Sequence, residues 1–124
     1  MKVVAIIQAR MNSIRLPGKV LLPLAEKPVL EHLIERLSYC RMINEIVVAT
    51  TFEASDDEVE DFCINNNINY FRGSLEDVLD RYYQSAKFFN ADSIVRITGD
   101  CPAIDPVVVD AVISGFLSGD YDLY

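Results

Sequence analysis

The sequence predicts an α/β domain with a mainly parallel sheet, because strand-like apolar runs alternate with helical patterns along its 124 residues. VVAIIQA, residues 3–9, is almost continuously apolar and rich in β-branched side chains, which is typical of a strand buried on both faces. EIVVAT, residues 45–50, has the same character. Further candidate strands are INYF, residues 68–71, and SIVRIT, residues 93–98. Right-handed crossovers between such strands would place helices on both faces of the sheet.

Amphipathic segments separate these strands. Residues 28–39 place one apolar stripe on a helix. That stripe consists of Val29, Leu30, Leu33, Ile34 and Leu37. Residues 55–66 begin with Ser55 and Glu58 at the spacing of a capping box, and the acids Asp56 and Asp57 follow in the first turn, where the helix dipole favours them.

Two more helices are predicted in the second half of the chain. Ser74 can cap the third helix, and Asn90 is expected to end it. Its inward face is expected to hold Leu75, Val78, Leu79, Tyr82, Ala86 and Phe89. Asp105-Pro106 opens the fourth helix, because proline fits the first helical position. Its stripe is Val109, Val112, Ile113 and Phe116.

Composition excludes several classes of protein. An apolar content of 51% with 24% charged residues is ordinary for a globular domain, and no run reaches the roughly 18 apolar residues of a membrane span. The formal charge of −8 argues against nonspecific binding to polymeric nucleic acid. Three cysteines without metal-ligand spacing indicate a reducing compartment, so we expect a cytoplasmic location and interpret the N-terminus as a strand and not a signal peptide.

Residues 1–124 are expected to form one domain, since neither a linker nor an internal repeat interrupts the pattern. The sequence stops at GDYDLY, just after a helix and where a further strand could begin. We therefore expect a truncated domain, although a short natural end would give the same pattern.

Positive charge is concentrated around the first strand. Residues 1–25 hold Lys2, Arg10, Arg15 and Lys19 and no acid, so the remainder carries −12. A small basic loop on an acidic body suits a compact anion, although a solvated loop with chance charges has the same composition.

The candidate ligand-binding residues follow three of the predicted strands. Ligands of open parallel sheets bind beyond the carboxyl ends of the strands, and QARMNSIRLPGK, FRGS and TGDCP lie at such ends. Together these segments offer Arg10, Arg15, Lys19, Arg72, Gly73, Gly99 and Asp100. Cations and backbone N–H groups offset phosphate charge, and a carboxylate beside phosphates can hold Mg²⁺. The mixture suits a nucleoside triphosphate with magnesium.

Each of these features has a structural alternative. Pro17-Gly18 and Asp100 could each belong to an ordinary turn. Ser74 and Asp77 could serve only to start a helix.

The three segments resemble those of a known enzyme family. QARMNSIRLPGK resembles the Q-A-R-M-x-S-x-R-L-P-G-K signature of cytidylyltransferases that activate acidic or surface sugars. FRGSLEDVLDRYYQSAK and VRITGDCPAIDP are most similar to the spore coat polysaccharide biosynthesis protein F group, which is near the CMP-sialic acid and CMP-Kdo synthetases. The resemblance extends over essentially the whole chain.

The resemblance implies a Rossmann-like nucleotide-diphospho-sugar transferase fold and transfer of CMP from CTP to a sugar hydroxyl, with Mg²⁺ and release of pyrophosphate. It implies Arg10, Lys19 and Asp100 as catalytic residues and Asp100 as the metal ligand. The implied CTP-binding residues are Ala9, Arg10, Ser13, Arg15, Lys19, Arg72, Gly73, Ser74, Asp77 and Gly99. The implied partners are CTP, a sugar acceptor and a second copy in a homodimer.

Two departures from the family pattern matter. Asn12, Ser13 and Ile14 stand where Gly-Ser-Thr is common, so a threonine hydroxyl is missing and the loop is more restricted. Family members are also about twice as long, and their second half carries much of the sugar site and the dimerisation arm.

Two other functions fit the residues. One is a glycosyltransferase of related fold, which TGDCP disfavours because such enzymes typically use an Asp-x-Asp pair. The other is a module that binds nucleotide without catalysing transfer.

Overall fold

The computed structural model describes residues 2–12, 18–24, 26–99 and 105–117. Its strands are β1 (Val3–Gln8), β2 (Pro23–Leu24), β3 (Lys27–Pro28), β4 (Glu45–Thr51), β5 (Asn69–Gly73) and β6 (Ser93–Thr98). Its α-helices are α1 (Val29–Leu37), α2 (Asp57–Asn65), α3 (Val78–Phe88) and α4 (Pro106–Leu117). Short 3₁₀ turns cover Lys19–Leu21 and Ala54–Asp56.

Four strands form one parallel sheet in the order β5-β4-β1-β6, which confirms the predicted parallel α/β architecture. β1 lies in the interior of the sheet, between β4 and β6, and its residues 3–7 are all buried. This position explains its continuous apolar sequence, because both faces of the strand meet protein.

Helices cover both faces of the sheet, as predicted. Ala5 and Ile7 of β1 pack in one cluster with side chains of α1, α2 and α4. Val4 and Ile6, which point the other way, pack with Tyr82 of α3. Because every strand in this sheet runs in the same direction, the segments that follow β1, β4, β5 and β6 all leave from one edge.

The predicted start of α2 was wrong. α2 begins at Asp57, and Ser55 lies in the preceding 3₁₀ turn, where its hydroxyl is buried without a hydrogen-bond partner among the described residues. Asp56 occupies the cap position but makes no capping hydrogen bond. Its carboxylate instead bonds groups outside the helix, so a tertiary contact replaces the local one.

The predicted cap of α3 was also wrong. Asp77 is the N-cap and accepts a hydrogen bond from the Asp80 N–H at 2.9 Å. Ser74 lies one turn earlier, and its hydroxyl accepts the Asp77 N–H at 3.1 Å. Val78, Tyr82, Ala86 and Phe89 of the predicted inward face do pack in the core. Leu79 was predicted wrongly, since it is exposed, and Arg81 is buried. Asn90 has a φ of +54°, the left-handed conformation expected where a helix ends.

The remaining helices agree with their predicted segments apart from single positions. α1 buries Val29, Leu30, Leu33 and Leu37. α4 begins at Pro106 as predicted, but Val112 of its expected stripe is exposed. The two-residue strands β2 and β3 form an antiparallel pair that the sequence pattern does not predict. None of the helices in the described ranges is long and apolar enough to cross a membrane.

Candidate functional site

The segment after β1 is anchored by a buried carboxylate. Asp56 is 2% exposed, and its Oδ1 accepts the Met11 N–H at 2.7 Å. Its Oδ2 accepts the hydroxyl of Thr51, at the end of β4. Ala9, two residues before Met11, is buried and donates its N–H to the Ala49 carbonyl at 3.0 Å. The start of the cationic loop is therefore fixed to β4 and to the turn before α2.

Arg10 lies beside a small cavity at this edge. Its Nη2 donates to the Asn12 carbonyl at 2.8 Å, and this is the side-chain hydrogen bond that Arg10 forms within the described residues. The cavity has a volume of about 160 Å³. Its lining consists of Arg10, Asn12, Glu53, Ser55, Asp56 and Leu75. The unpartnered Ser55 hydroxyl is thus a second polar group at the same cavity.

The far end of the cationic loop returns to its beginning. Gly18 donates its N–H to the Met11 carbonyl, and its φ of +77° is a conformation that favours glycine. The backbone of Lys19 then enters the 3₁₀ turn. Among the predicted site residues, Ser13, Arg15 and Asp100 lie outside the described residues, and so does the Lys19 side chain.

Arg72 is held by protein acceptors. Its Nε donates to the Thr51 carbonyl at 2.7 Å and its Nη2 to the Glu53 carbonyl at 2.8 Å. Its Nη1 contacts the carboxylates of Asp57 at 2.7 Å and Glu60 at 3.3 Å. Burial lowers the pKa of Arg72, but the hydrogen bond and charge of Asp57, assisted by Glu60, raise it above its ordinary value. These contacts tie β5 to α2, and nucleoside contact by Arg72 stays a prediction.

Gly73 and Ser74 form a close contact with α3. A Cβ on Gly73 would lie 3.1 Å from Cγ of Arg81. The Ser74 carbonyl accepts a hydrogen bond from Nη1 of Arg81 at 2.6 Å. With Asp77 capping α3, these residues form a fixed turn above the end of β5.

Gly99 permits a close approach between β6 and β1. Its N–H donates to the Gln8 carbonyl at 2.8 Å, and a Cβ would lie 2.7 Å from that oxygen. The Gln8 side chain accepts the Tyr82 hydroxyl at 3.3 Å. Gly99 therefore lies directly against Gln8 and Ala9, at the end of β1.

Asp56, which lines the cavity, and Arg81, which holds the turn after β5, are two residues at this edge that sequence reasoning missed. Asp56 was interpreted as an ordinary first-turn acid, and only the fold brings Met11 to it. Arg81 had a visible signal, because it lies three residues after Val78 and four before Ser85 on the inward face of α3. A buried arginine on such a stripe is uncommon enough to mark a special position.

A larger groove of about 850 Å³ lies elsewhere, between α3 and the edge strand β6. Its lining includes Leu79, Tyr83, Ile94 and Arg96. This groove runs along the strand and not across the strand ends, where parallel sheets bind ligands, so the smaller cavity beside Arg10 is the stronger candidate.

The described residues contain no cluster of three or more metal-binding side chains. The two cysteines in these ranges are buried free thiols, and burial raises the pKa of Cys63 to about 12. Such a thiol stays protonated at neutral pH, so it has no role as a nucleophile or metal ligand.

Comparison with known proteins gives one consistent result. The spore coat polysaccharide biosynthesis protein SpsF of Bacillus subtilis is 42% identical over 112 residues, covering 87% of this chain and 47% of that protein. A cytidylyltransferase structure from Leptospira borgpetersenii serovar Hardjo-bovis has a TM-score of 0.90 at 45% identity, over 95% of this chain and 50% of the other.

A third similarity is to a CMP:2-keto-3-deoxy-manno-octonic acid synthetase solved in complex with CTP. It has a TM-score of 0.80 at 30% identity and covers 95% of this chain and 48% of that one. These structural matches confirm the predicted Rossmann-like nucleotidyltransferase fold. The chain spans about half the length of the curated relatives it matches.

The family model described as cytidylyltransferase matches residues 4–124, which include the anchored cationic loop, the turn after β5 and the segment after β6. The chain belongs to the cytidylyltransferase family.

Proposed function

We propose that residues 1–124 form the CTP-binding domain of an enzyme that transfers CMP from CTP to a sugar hydroxyl in surface polysaccharide biosynthesis. In this reaction the sugar hydroxyl releases its proton to water and its oxygen forms a bond to the α-phosphorus. The bond between the α-phosphorus and the oxygen that bridges to the β-phosphate breaks, and pyrophosphate leaves. The observation that carries the proposal is the cationic loop, which begins with Arg10 beside a cavity at the carboxyl edge of the sheet and is anchored by Asp56.

Fixed cations suit this chemistry. Phosphoryl-type transfer depends mainly on positioning and on offsetting charge that develops on the phosphate oxygens. Arg10 and Lys19 are the proposed catalytic cations, and Ser13 and Arg15 would bind the triphosphate from the same loop. Backbone groups at Ala9 and Gly99 lie at the adjacent ends of β1 and β6, where a nucleotide can approach closely.

The turn after β5 is the proposed nucleoside side of the site. Gly73 and Ser74 are fixed there by Arg81, and Asp77 caps α3. Arg72 would line this side while it keeps its bonds to Thr51 and Glu53.

Asp100 is the proposed Mg²⁺ ligand. Mg²⁺ requires few protein ligands and keeps several waters, so a single carboxylate beside a triphosphate fits its chemistry. Asp100 follows Gly99 in the sequence, and Gly99 is bonded to the end of β1. When bound, the ion would offset the charge of the triphosphate.

The partners proposed with CTP are a sugar acceptor and a second copy of the protein in a homodimer. The cytoplasm is the proposed location, since it holds the nucleotide pool. Binding of CTP without pyrophosphate release in the presence of sugars would favour the alternative, a non-catalytic nucleotide-binding module.

Calorimetric titration with CTP and ATP tests the proposed base preference. We expect CTP to bind roughly tenfold or more tightly, because a site built for one base leaves polar groups unpaired with another, at about 1–3 kcal/mol each. Arg10→Gln should weaken CTP binding. Arg41→Gln is the matched control, since Arg41 is exposed and precedes β4 at the opposite edge of the sheet. Equal affinities for the two nucleotides would refute the cytidylyl assignment.

Thermal melts of Asp100→Asn test the metal site. A ligand at a hundred times its Kd stabilises a protein by about 2.7 kcal/mol, which corresponds to a shift of roughly 10 °C here. We expect Mg-CTP to shift the wild type by this amount and the variant hardly at all, with equal melting of the two ligand-free proteins. Asp105→Asn is the control, because Asp105 accepts the Val107 N–H at the start of α4. A full ligand-induced shift in Asp100→Asn would refute the metal assignment.

A further inference from the structure

Arg81 is buried to an extent that is unusual for a cation. It lies in α3, is 1% exposed, and is the largest of the fully buried side chains in the described residues. Burying a charge is costly unless hydrogen bonds and an opposite charge compensate for it. The contacts of Arg81 are therefore informative.

Hydrogen bonding compensates Arg81 only in part. Its Nη1 donates to the Ser74 carbonyl, and its Cβ and Cγ pack against Gly73. Its Nη2 is buried and has no hydrogen-bond acceptor among the described residues. An unmade hydrogen bond of a buried charged group is among the more costly defects in a folded protein.

Nearby charges do not neutralise Arg81 either. Within the described ranges no carboxylate forms a salt bridge with it, and the carboxylate of Asp56 accepts hydrogen bonds from Met11 and Thr51 instead. Burial lowers the pKa of Arg81, and the charge of Arg10 lowers it further, against smaller opposing effects of Tyr82 and Asp56. Geometry places both cations at the carboxyl edge of the sheet, because Arg81 is bonded to Ser74, which follows β5, and Arg10 follows β1.

A bound anion would remove both defects, since it would attract the two cations together and draw on their free donors. We propose that Arg81 is a second, buried cation of the nucleotide site, which acts with Arg10 to bind the phosphate groups of the nucleotide. This inference rests on the proposed function and gives a role to Arg81, a residue within FRGSLEDVLDRYYQSAK to which the resemblance assigns none. The incompletely compensated charge of Arg81 is then a functional feature that lowers the stability of the protein without nucleotide.

Arg81→Met separates this role from a structural one, because methionine preserves much of the apolar stem and removes the charge. We expect the ligand-free variant to melt within a few degrees of the wild type or above it, since replacing an uncompensated buried ion by an apolar group is often neutral or stabilising. CTP affinity should fall roughly tenfold or more, the effect of losing a charge-assisted contact. Affinity for cytidine, which has no phosphate, should stay within about twofold of the wild type.

Arg41→Met is the control for general charge loss and should leave both affinities unchanged. Equal losses of CTP and cytidine affinity in Arg81→Met would overturn the proposal, because Arg81 would then only organise the turn at Gly73 and Ser74. Unchanged CTP affinity would also overturn it.

Arg81→Lys keeps the test decisive if the methionine variant does not fold. Lysine retains the charge without the planar fork, so we expect the preference for CTP over cytidine to persist within roughly fivefold. A folded lysine variant without that preference would overturn the proposal. A wild-type chain that binds no CTP refutes the proposed function itself, and this inference with it, whereas wild-type binding combined with unaffected variants refutes the role of Arg81 alone.

Discussion

Two arginines lie near the end of β5, one on each face of the sheet, and they differ in how far hydrogen bonds and carboxylates compensate their charge. Arg72 lies on the α2 side, where two backbone carbonyls and two carboxylates accept its hydrogen bonds. Arg81 lies on the α3 side, more deeply buried, with one carbonyl acceptor and a free Nη2. Their pKa values move in opposite directions, upward for Arg72 and downward for Arg81.

The difference separates an arginine whose charge the fold compensates from one whose charge it compensates only in part. The bonds of Arg72 join β5, the end of β4 and α2, so its charge is compensated by the fold. Arg81 is compensated only in part by the fold, and the charge of Arg10, at the candidate nucleotide site, lowers its pKa further. The hydrogen bonds therefore favour Arg81 as a ligand contact, although the resemblance implies that role for Arg72 and not for Arg81.

The largest effect expected from this comparison is that of Arg72→Met on stability. We expect the free energy of unfolding to fall by about 2–3 kcal/mol, because two carbonyls and two carboxylates lose a partly buried cation. Asp57 is 64% exposed, so water screens its share and most of the loss comes from the carbonyls. Urea denaturation measures the change.

Arg41→Met provides the surface reference for this experiment and should stay within about 0.5 kcal/mol of the wild type. The comparison predicts that Arg72→Met is clearly less stable than Arg81→Met. The opposite order would mean that the hydrogen bonds of the two arginines do not predict how much each arginine contributes to stability.

The sheet was predictable from the sequence because its signal is local. A central parallel strand needs apolar residues on both faces, and residues 3–9 and 45–50 have them. The helix starts were less predictable, since several residues near each start can cap. Ser55 and Ser74 fit the local rule, but Asp77 caps α3, and Asp56 binds Met11, 45 residues earlier in the chain.

The candidate site was predictable as a set of segments and not as a set of contacts. The rule that parallel strands share a carboxyl edge placed Arg10, Gly73 and Gly99 correctly at that edge. It gave no information on where the Arg72 side chain points, because its partners come from β4 and α2. Arg81 lies within a helix, outside the loops where the rule places ligand contacts.

The smallest expected effect is that of Gly73→Ala. Gly73 follows Arg72 in the sequence and packs against Arg81. The added Cβ would lie 3.1 Å from Cγ of Arg81 and 3.3 Å from Cε1 of Phe71, so both neighbours must move by a few tenths of an ångström. Overpacking of this kind lowers the free energy of unfolding by about 1–3 kcal/mol. Alanine also makes the unfolded chain less flexible than glycine does, which raises the free energy of unfolding by about 0.4–1 kcal/mol. We expect a net loss of about 1 kcal/mol in urea denaturation. Displacement of Arg81 should also weaken CTP binding severalfold.

Gly115→Ala, within α4, is the matched control and should raise stability, because alanine is more favourable than glycine in a helix interior. If Gly73→Ala reduced stability without changing CTP affinity, the position of Arg81 would not matter to the nucleotide, and the contrast between the two arginines would lose its functional meaning.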